Sequence, residues 1–272
     1  MENINVNEIE LSIVMPCLNE AETLQICIDK AFDFLVTTNT KGEVVIGDNG
    51  STDGSQQIAI ACGARLIDIQ AKGYGNALLG AFKESKGTFI IMGDSDDSYD
   101  FSHLNPFMEK LRSGYDLVIG NRFAGTIHPK AMPFMNKYVG NPVLSSIARL
   151  FIRSEIGDFH CGLRGFHRQR ILDLNLRTPG MEFASEMIIA ATIANLKITE
   201  VPIILSPDGR SRPPHLRPWR DGWRHLRFLF NYRPSPSVLF REFMLMLGGL
   251  IMKTCNYLLG RGFVSENLRK NE

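Results

Sequence analysis

Five short apolar runs, at 11–16, 43–48, 64–69, 88–93 and 115–120, alternate with stretches of helical spacing, and that alternation leaves few folds open. The stretch 22–36 puts Leu24, Ile28, Ala31, Phe32 and Leu35 on one helical face, with Asn19 set to cap it. Pro16 is expected to stop the first strand. Further helices are predicted at 55–62, capped by Asp53, at 73–85 and at 102–112. Strands and helices taking turns in this way predict an α/β domain, a mostly parallel central sheet flanked by helices on both faces. Ligands of such sheets sit outside the carboxyl ends of the strands.

The fourth run ends in a burst of charge. After Phe89-Ile90-Ile91-Met92-Gly93 come Asp94, Asp96, Asp97 and Asp100, four acids within seven residues. Continuous apolar character suits a strand buried on both faces, so the carboxylates fall just past its carboxyl end. Asp94 and Asp96 are two apart in irregular backbone, where both can turn toward one hard cation. Oxygen donors of this kind suit Mg²⁺ or Mn²⁺, which complete their shells with phosphate oxygens and water. A solvated acidic loop with an Asx turn is the alternative. Asp48 ends the second run at the same sheet edge, where an acid takes hydroxyl or N–H donors from a nucleoside. The alternative there is a turn closed with Gly50.

With 44% hydrophobic and 22% charged residues in 272, the chain has the make-up of one large α/β domain or two modest ones. A net charge of +1 excludes a general nucleic-acid binder, so any basic function is local. The five cysteines are odd in number and lack close pair spacing, which fits neither a disulfide framework nor a zinc site and favours a reducing cytosol. The first residues, with Glu2, Glu8 and Glu10, show no secretory signal.

Taken in order, Pro16-Cys17-Leu18-Asn19-Glu20, then Asp48-Asn49-Gly50-Ser51-Thr52-Asp53-Gly54, then Asp94-Ser95-Asp96 resemble the successive signatures of family 2 glycosyltransferases with the nucleotide-sugar-binding fold called GT-A. Gly73-Tyr74-Gly75-Asn76-Ala77, Tyr99-Asp100-Phe101 and Gly120-Asn121-Arg122-Phe123 are similar to the polyprenyl-phosphate subgroup, the dolichol-phosphate mannose or glucose synthase type. The likeness runs on through 157–164, 182–186 and 219–226 and covers about 11–230. It implies that Pro16 and Glu20 line the base and ribose and that Asp48 contacts the nucleoside. Asp94 and Asp96 would then flank a Mg²⁺ or Mn²⁺ ion on the donor diphosphate. Asn19, Gly73, Asn76 and Ser95, within the matching motifs, are assigned to the donor too. Ser95 stands where the family usually has alanine, and Asn49 where an aspartate is common.

In the second half, 133–152 reads as an apolar helix interrupted near Pro142, with Arg149 on it. Asp158 lies close to Arg164 in sequence, either as a structural ion pair or as an acid that organises the acceptor. In the second case Arg122, Arg149 or Arg164 binds anionic oxygen, for which arginine's planar fork is well matched. Glu182 and Glu186 share a helix face, either solvated or, in the family context, near the donor sugar or on arginines. Between 206 and 241 eight arginines meet two aspartates, with aromatics interleaved. An RNA surface is set aside because the whole chain is not basic. The favoured reading is an Arg-rich acceptor loop at 208–217, with Arg210, His215 and Arg217 on phosphate, then an amphipathic helix at a membrane surface. His215 stands about where the family has lysine. The apolar run 243–252 is ten residues, short of the roughly 20 a spanning helix needs, so it is expected as an interfacial, re-entrant or core helix.

The expected layout is thus a catalytic domain at 1–205 and an acceptor loop with a membrane-associated helical segment at 206–272. The resemblance implies a metal-dependent, inverting hexosyltransferase that takes a UDP- or GDP-linked sugar to undecaprenyl or dolichyl phosphate. Its place would be the cytoplasmic face of the inner membrane or the cytoplasm, and homo-oligomers are expected of the kind. Two alternatives stay open: an acceptor hydroxyl activated by Asp158 as base, and a nucleotide-sugar sensor without turnover.

Overall fold

The structure, a computed structural model, describes residues 9–135, 156–211 and Arg224. The expectations for the helix at 133–152, for Arg149, His215 and Arg217, and for the C-terminal helices with the 243–252 run lie outside the described residues. The described residues all fall within one compact unit. Among the described residues no helix is long and apolar enough to cross a membrane.

The elements run β1 (Leu11–Cys17), α1 (Leu24–Thr37), β2 (Gly42–Asp48), α2 (Ser55–Ala61), β3 (Arg65–Asp68), α3 (Tyr74–Glu84), β4 (Phe89–Met92), α4 (Asn105–Arg112), β5 (Leu117–Ile127), β6 (Arg164–His167), α5 (Arg168–Leu172), α6 (Phe183–Ile193) and β7 (Ile198–Leu205). They build one seven-stranded sheet in the order β3-β2-β1-β4-β6-β5-β7. Every neighbouring pair is parallel except the two that involve β6, which runs against β4 and β5. The expected α/β class and mostly parallel sheet are what the chain forms, and β6 makes the sheet mixed.

Helices cover both faces. On β2, Gly42 meets Leu35 of α1, whereas a β-carbon at Gly47 would lie 2.7 Å from the Ala77 carbonyl of α3. The two glycines are five positions apart, an odd offset, and alternating side-chain direction therefore puts α1 and α3 on opposite faces. The buried set of α1, Leu24, Cys27, Ile28, Ala31, Phe34 and Leu35, recurs at helical spacing and faces the sheet. Phe32, expected on that face, is not in this set.

Three local expectations are corrected. Pro16 does not end β1, which continues to Cys17 with Pro16 level with Gly47. The missing N–H points to the β4 side, where β4 has already stopped at Met92 opposite Val14, so no ladder bond is lost. Asn19 does not cap α1; Thr23 precedes the helix, and Asn19 takes a left-handed conformation with φ 58°. β5 runs past Gly120 to Ile127 because β7 pairs with it, through a register shift between Asn121 and Thr126. Pro202 is tolerated in β7 because that strand lies at the sheet edge.

Glu43 ties the far end of this sheet together. It accepts from Ser12 Oγ on β1 (2.7 Å), Arg65 Nε on β3 (2.9 Å) and the Lys86 amide (2.7 Å). Burial pushes its carboxyl up, but Arg65, Lys86 and Ser12 together outweigh that and hold it below its ordinary 4.5. Glu43→Gln should therefore lower stability at pH 7 by about 2 kcal/mol, the scale of hydrogen bonds to a charged group. Because the folded-state pKa is depressed, this margin is present above 4.5 and lost as pH falls through the folded value. Urea unfolding of both proteins at pH 7 and at pH values below 4 should show the gap close.

Candidate active site

The ends of β1, β2 and β4 meet at one edge, as parallel pairing requires, and each delivers part of an acidic cleft. The loop after β1 is zipped to the loop after β2. Asn19 N donates to Ser51 Oγ (2.8 Å), Glu20 N to Ser55 Oγ (2.9 Å) and Ala21 N to Asp53 Oδ2 (3.0 Å), while Asn19 Oδ1 accepts from Thr52 N (2.7 Å). Asp53 also accepts from Ser55 N (3.1 Å), just before α2. The hydroxyls of the turn cluster thus position the Asn19-Glu20 loop.

Asp48 is fully buried at the tip of β2. Its Oδ2 accepts from Gly50 N (3.0 Å), Ser51 N (3.1 Å) and Gln56 Nε2 (2.6 Å). Burial pushes this carboxyl up, yet the bonds from Ser51, Gln56 and Gly50 prevail and keep it below the usual range. The turn with Gly50 and the acid at the strand end, set as alternatives from the sequence, coexist in one residue.

Asn49 explains its own departure from the common aspartate. Its Nδ2 donates to the Ile69 and Ala71 carbonyls (2.9 Å each) and its Oδ1 accepts from Gly73 N (2.7 Å). A carboxylate could not serve both carbonyls. Ser95 likewise uses the hydroxyl that alanine lacks: Oγ donates to the Pro16 carbonyl (2.8 Å), and Thr23 Oγ1 donates to the Ser95 carbonyl (2.7 Å). The strand ends of β1 and β4 are stitched there.

Asp94 and Asp96 sit at the mouth of this edge. Tyr74, the first residue of α3, donates its hydroxyl to Asp94 Oδ1 (2.9 Å). Burial first, and then the charge of Asp96, push the Asp94 carboxyl up to about 7, against the lowering effects of Tyr74 and Arg210. Asp96 Oδ1 accepts from Ser98 N (3.1 Å) and Ser98 Oγ (2.6 Å), and its Oδ2 from Arg210 Nη2 (2.8 Å). Arg210 also reaches Glu20 Oε1 (3.2 Å) and Asp208 Oδ2 (3.1 Å). A cavity of about 290 Å³ beside it is lined by Asn19, Glu20, Glu22, Thr52, Asp53 and Arg210.

This donor set fits a hard divalent cation. It offers carboxylate oxygens only, one of them on an acid raised to about 7 by burial and by the charge of Asp96, and a guanidinium already stands in as a cation on Asp96 and Glu20. Among the described residues no group of three or more acids, histidines or cysteines could hold a metal alone. Two protein carboxylates with the rest of the shell from phosphate and water is the pattern Mg²⁺ and Mn²⁺ accept.

Other expected residues are placed elsewhere. Asp158 is buried and pairs with Arg122, not Arg164: Nε to Oδ2 at 2.6 Å and Nη2 to Oδ1 at 2.7 Å. Burial pulls the Arg122 pKa down, but Asp158 more than reverses it. Arg164 is fully buried and donates to the carbonyls of Cys161 (2.9 Å), Ala184 (2.6 Å) and Phe159 (2.9 Å), so its fork is closed by backbone and not open to an acceptor phosphate. Gly73, at φ 127°, packs on the Pro179 carbonyl, and Asn76 Nδ2 donates to the Lys72 carbonyl (2.9 Å). Glu186 accepts from the Arg177 and Thr178 amides, and Glu182 pairs with Arg224 (2.9 Å). Sequence reasoning missed Tyr74 as a partner of Asp94, although the residue lay inside a quoted motif.

Because Asn49 is buried and both of its carbonyl partners lie in the 69–73 loop, Asn49→Asp would turn two hydrogen bonds into repulsions. The expected cost is about 3 kcal/mol, read as a lower midpoint in chemical denaturation.

The model of the glycosyl transferase family 2 matches residues 12–173. The low-salt glycan biosynthesis hexosyltransferase Agl6 of Haloferax volcanii is 40% identical over 226 residues, 83% of this chain and 54% of that protein. The chain thus spans about half the length of that relative. The dolichyl-phosphate hexose transferase of the same organism is 29% identical over 194 residues, 71% of this chain and 82% of that one. Among solved structures, glucosyl-3-phosphoglycerate synthase from Mycobacterium tuberculosis, in complex with Mn²⁺, UDP and phosphoglyceric acid, superimposes with a TM-score of 0.62 at 21% identity, over 84% of this chain and 80% of that one. This last likeness is one of fold. The matched stretch spans β1 to α5 and holds Glu20, Asp48, Asp94 and Asp96, and the chain belongs to glycosyl transferase family 2.

Proposed function

We propose that the chain moves a hexose from a nucleotide sugar to a polyprenyl phosphate at a membrane surface, with inversion at the anomeric carbon. The relatives support the reading: one is named a hexosyltransferase and another a dolichyl-phosphate hexose transferase. The fold neighbour was crystallised with Mn²⁺ and UDP, in keeping with a nucleotide donor and a divalent ion.

Asp94 and Asp96 would hold the cation, Mg²⁺ or Mn²⁺, which when bound supplies charge neutralisation to the departing nucleoside diphosphate. Tyr74 keeps Asp94 in place, and its own pKa, raised by burial and by Asp94, leaves it a neutral donor. Asp48 Oδ1 accepts one long backbone bond, from Ser51 N at 3.4 Å, and would offer a lone pair to a nucleoside donor. The acid-lined cavity with Asn19 and Glu20 would receive the hydroxyls of the nucleoside.

One observation favours an ionised acceptor. Asp158, the candidate base for a hydroxyl acceptor, is buried and held bidentately by Arg122. A phosphate monoester, with a second pKa near ~6, reaches the site already anionic and needs no base. What remains is alignment and charge, supplied by the cleft and by cations of the Arg-rich segment that begins at Arg210. With such an acceptor the chain would work at a membrane surface, and the cytoplasmic face is the side this reading assigns it.

The test is transfer from UDP- and GDP-sugars, with Mn²⁺, to a short polyprenyl phosphate or to soluble hydroxyl acceptors, with products identified by mass. A glycolipid is expected; product on the soluble acceptors with none on the lipid phosphate would overturn the reading. Asp94→Asn and Asp96→Asn should each lower kcat/KM roughly 10²-fold or more, the scale of losing a principal charge-stabilising group.

A further inference from the structure

We propose that Arg210 occupies the cation's seat while the donor site is empty, and that loading of metal and nucleotide expels it. The guanidinium is then free for the anionic oxygens of the reactants. This rests on reading Asp94 and Asp96 as the metal ligands, and it makes Arg210 a positioning residue whose place depends on the state of the site.

The side chain of Arg210 is 8% exposed and lies among acids on three separate segments. Nη2 contacts Asp96 Oδ2 at 2.8 Å and Asp208 Oδ2 at 3.1 Å, and Nη1 contacts Glu20 Oε1 at 3.2 Å. Its charge is felt at Asp94 as well. The third nitrogen, Nε, is buried with no acceptor among the described residues. The guanidinium is therefore held by its tip alone, through three carboxylates of which one, Asp96, is a proposed metal ligand.

Two cations cannot share this seat at low cost. An ion bound at Asp96 would lie within a few ångströms of the guanidinium, in a largely buried place where like charges are poorly screened. The backbone around Arg210 is tied to the same loops. Ser206 N donates to the Ser98 carbonyl (3.0 Å), Gly209 N to the Asp96 carbonyl (2.9 Å), and Ser211 N and Oγ to Glu22 (2.6 and 2.5 Å). The segment 206–211 thus closes over the acid pair by bonds to residues 20–22 and 96–98, the very loops that would grip the donor. Release of the Arg210 tip removes its ionic hold and leaves neutral hydrogen bonds and the Ser211–Glu22 contact.

Two measurements on the full chain, both without acceptor, test this. Free Mn²⁺ is counted by electron paramagnetic resonance during titration of the unaltered protein, Arg210→Ala and Arg210→Lys. The alanine variant should bind Mn²⁺ roughly tenfold more tightly, the order expected when a charge-assisted pair no longer has to be broken, with lysine in between. Hydrogen exchange of the unaltered chain needs no variant to fold: Mn²⁺ with UDP should speed exchange at the Gly209 amide. Equal or weaker Mn²⁺ binding by Arg210→Ala, or greater protection of Gly209 on loading, would overturn the proposal. If no form binds Mn²⁺, the ligand reading fails and takes the proposal with it. A chain that binds Mn²⁺ and frees Gly209, yet transfers nothing to polyprenyl phosphate, would sink the acceptor reading and leave this one standing.

Discussion

Parallel strands deliver their carboxyl ends to one edge, and this chain crowds that edge with carboxylates; the rest of the site is an answer to their repulsion. The answers differ by residue. Asp48 is met by amides and an amide side chain and sits below the usual range. Asp96 is met by a serine and a guanidinium. Asp94 has the Tyr74 phenol as its hydrogen-bond donor and is driven up to about 7. Burial is the larger cause of that rise and penalises any charge, but the part due to the charge of Asp96 is one that an added cation relieves.

Much of this was legible in the chain because the signals were local. The helical spacing of α1 and the apolar run of β4 are visible within a dozen residues, and an acid just past a strand is placed as soon as the strand is. β6 was not legible: four residues headed by an arginine carry no alternation to detect, and only pairing with β4 and β5 makes them a strand. β7 was hidden by Pro202, which argues against a strand unless its edge position is known. The partner of Asp96 lay 114 residues away, beyond the reach of any spacing argument. Glu43 gave no local sign either, since its three partners come from β1, β3 and the turn before β4.

Arginine is where a sequence says least, since a scaffold arginine and a ligand arginine look alike until their forks are followed. Arg164 turns its planar guanidinium to three carbonyls and, although burial pulls its pKa down, serves as a buried bracket for the 159–164 loop and α6. Arg122 closes on Asp158 with near-ideal bidentate geometry, and neither partner is left over for chemistry. Truncating either would strand a charge in the interior, which is why buried pairs resist replacement even when they add little net stability.

The bonds at the sheet edge fall into two classes with different responses to charge. The floor is held by hydroxyls, amides and carbonyls: Ser95 on Pro16, Asn49 on Ile69 and Ala71, and Ser51 and Ser55 on the Asn19-Glu20 loop. These bonds involve no ion and respond little to an added cation or diphosphate; of the bonds that zip the two loops together, the one from Ala21 N to Asp53 involves a carboxylate. The cover at 206–211 is held in part by ion contacts, and these are the terms that change when charge is added. A site built in this way keeps its geometry through loading while its cover responds. The two departures from the usual family residues, Ser95 and Asn49, both fall in the floor, where each adds a neutral hydrogen bond and leaves the charge balance of the cleft to the acids and Arg210.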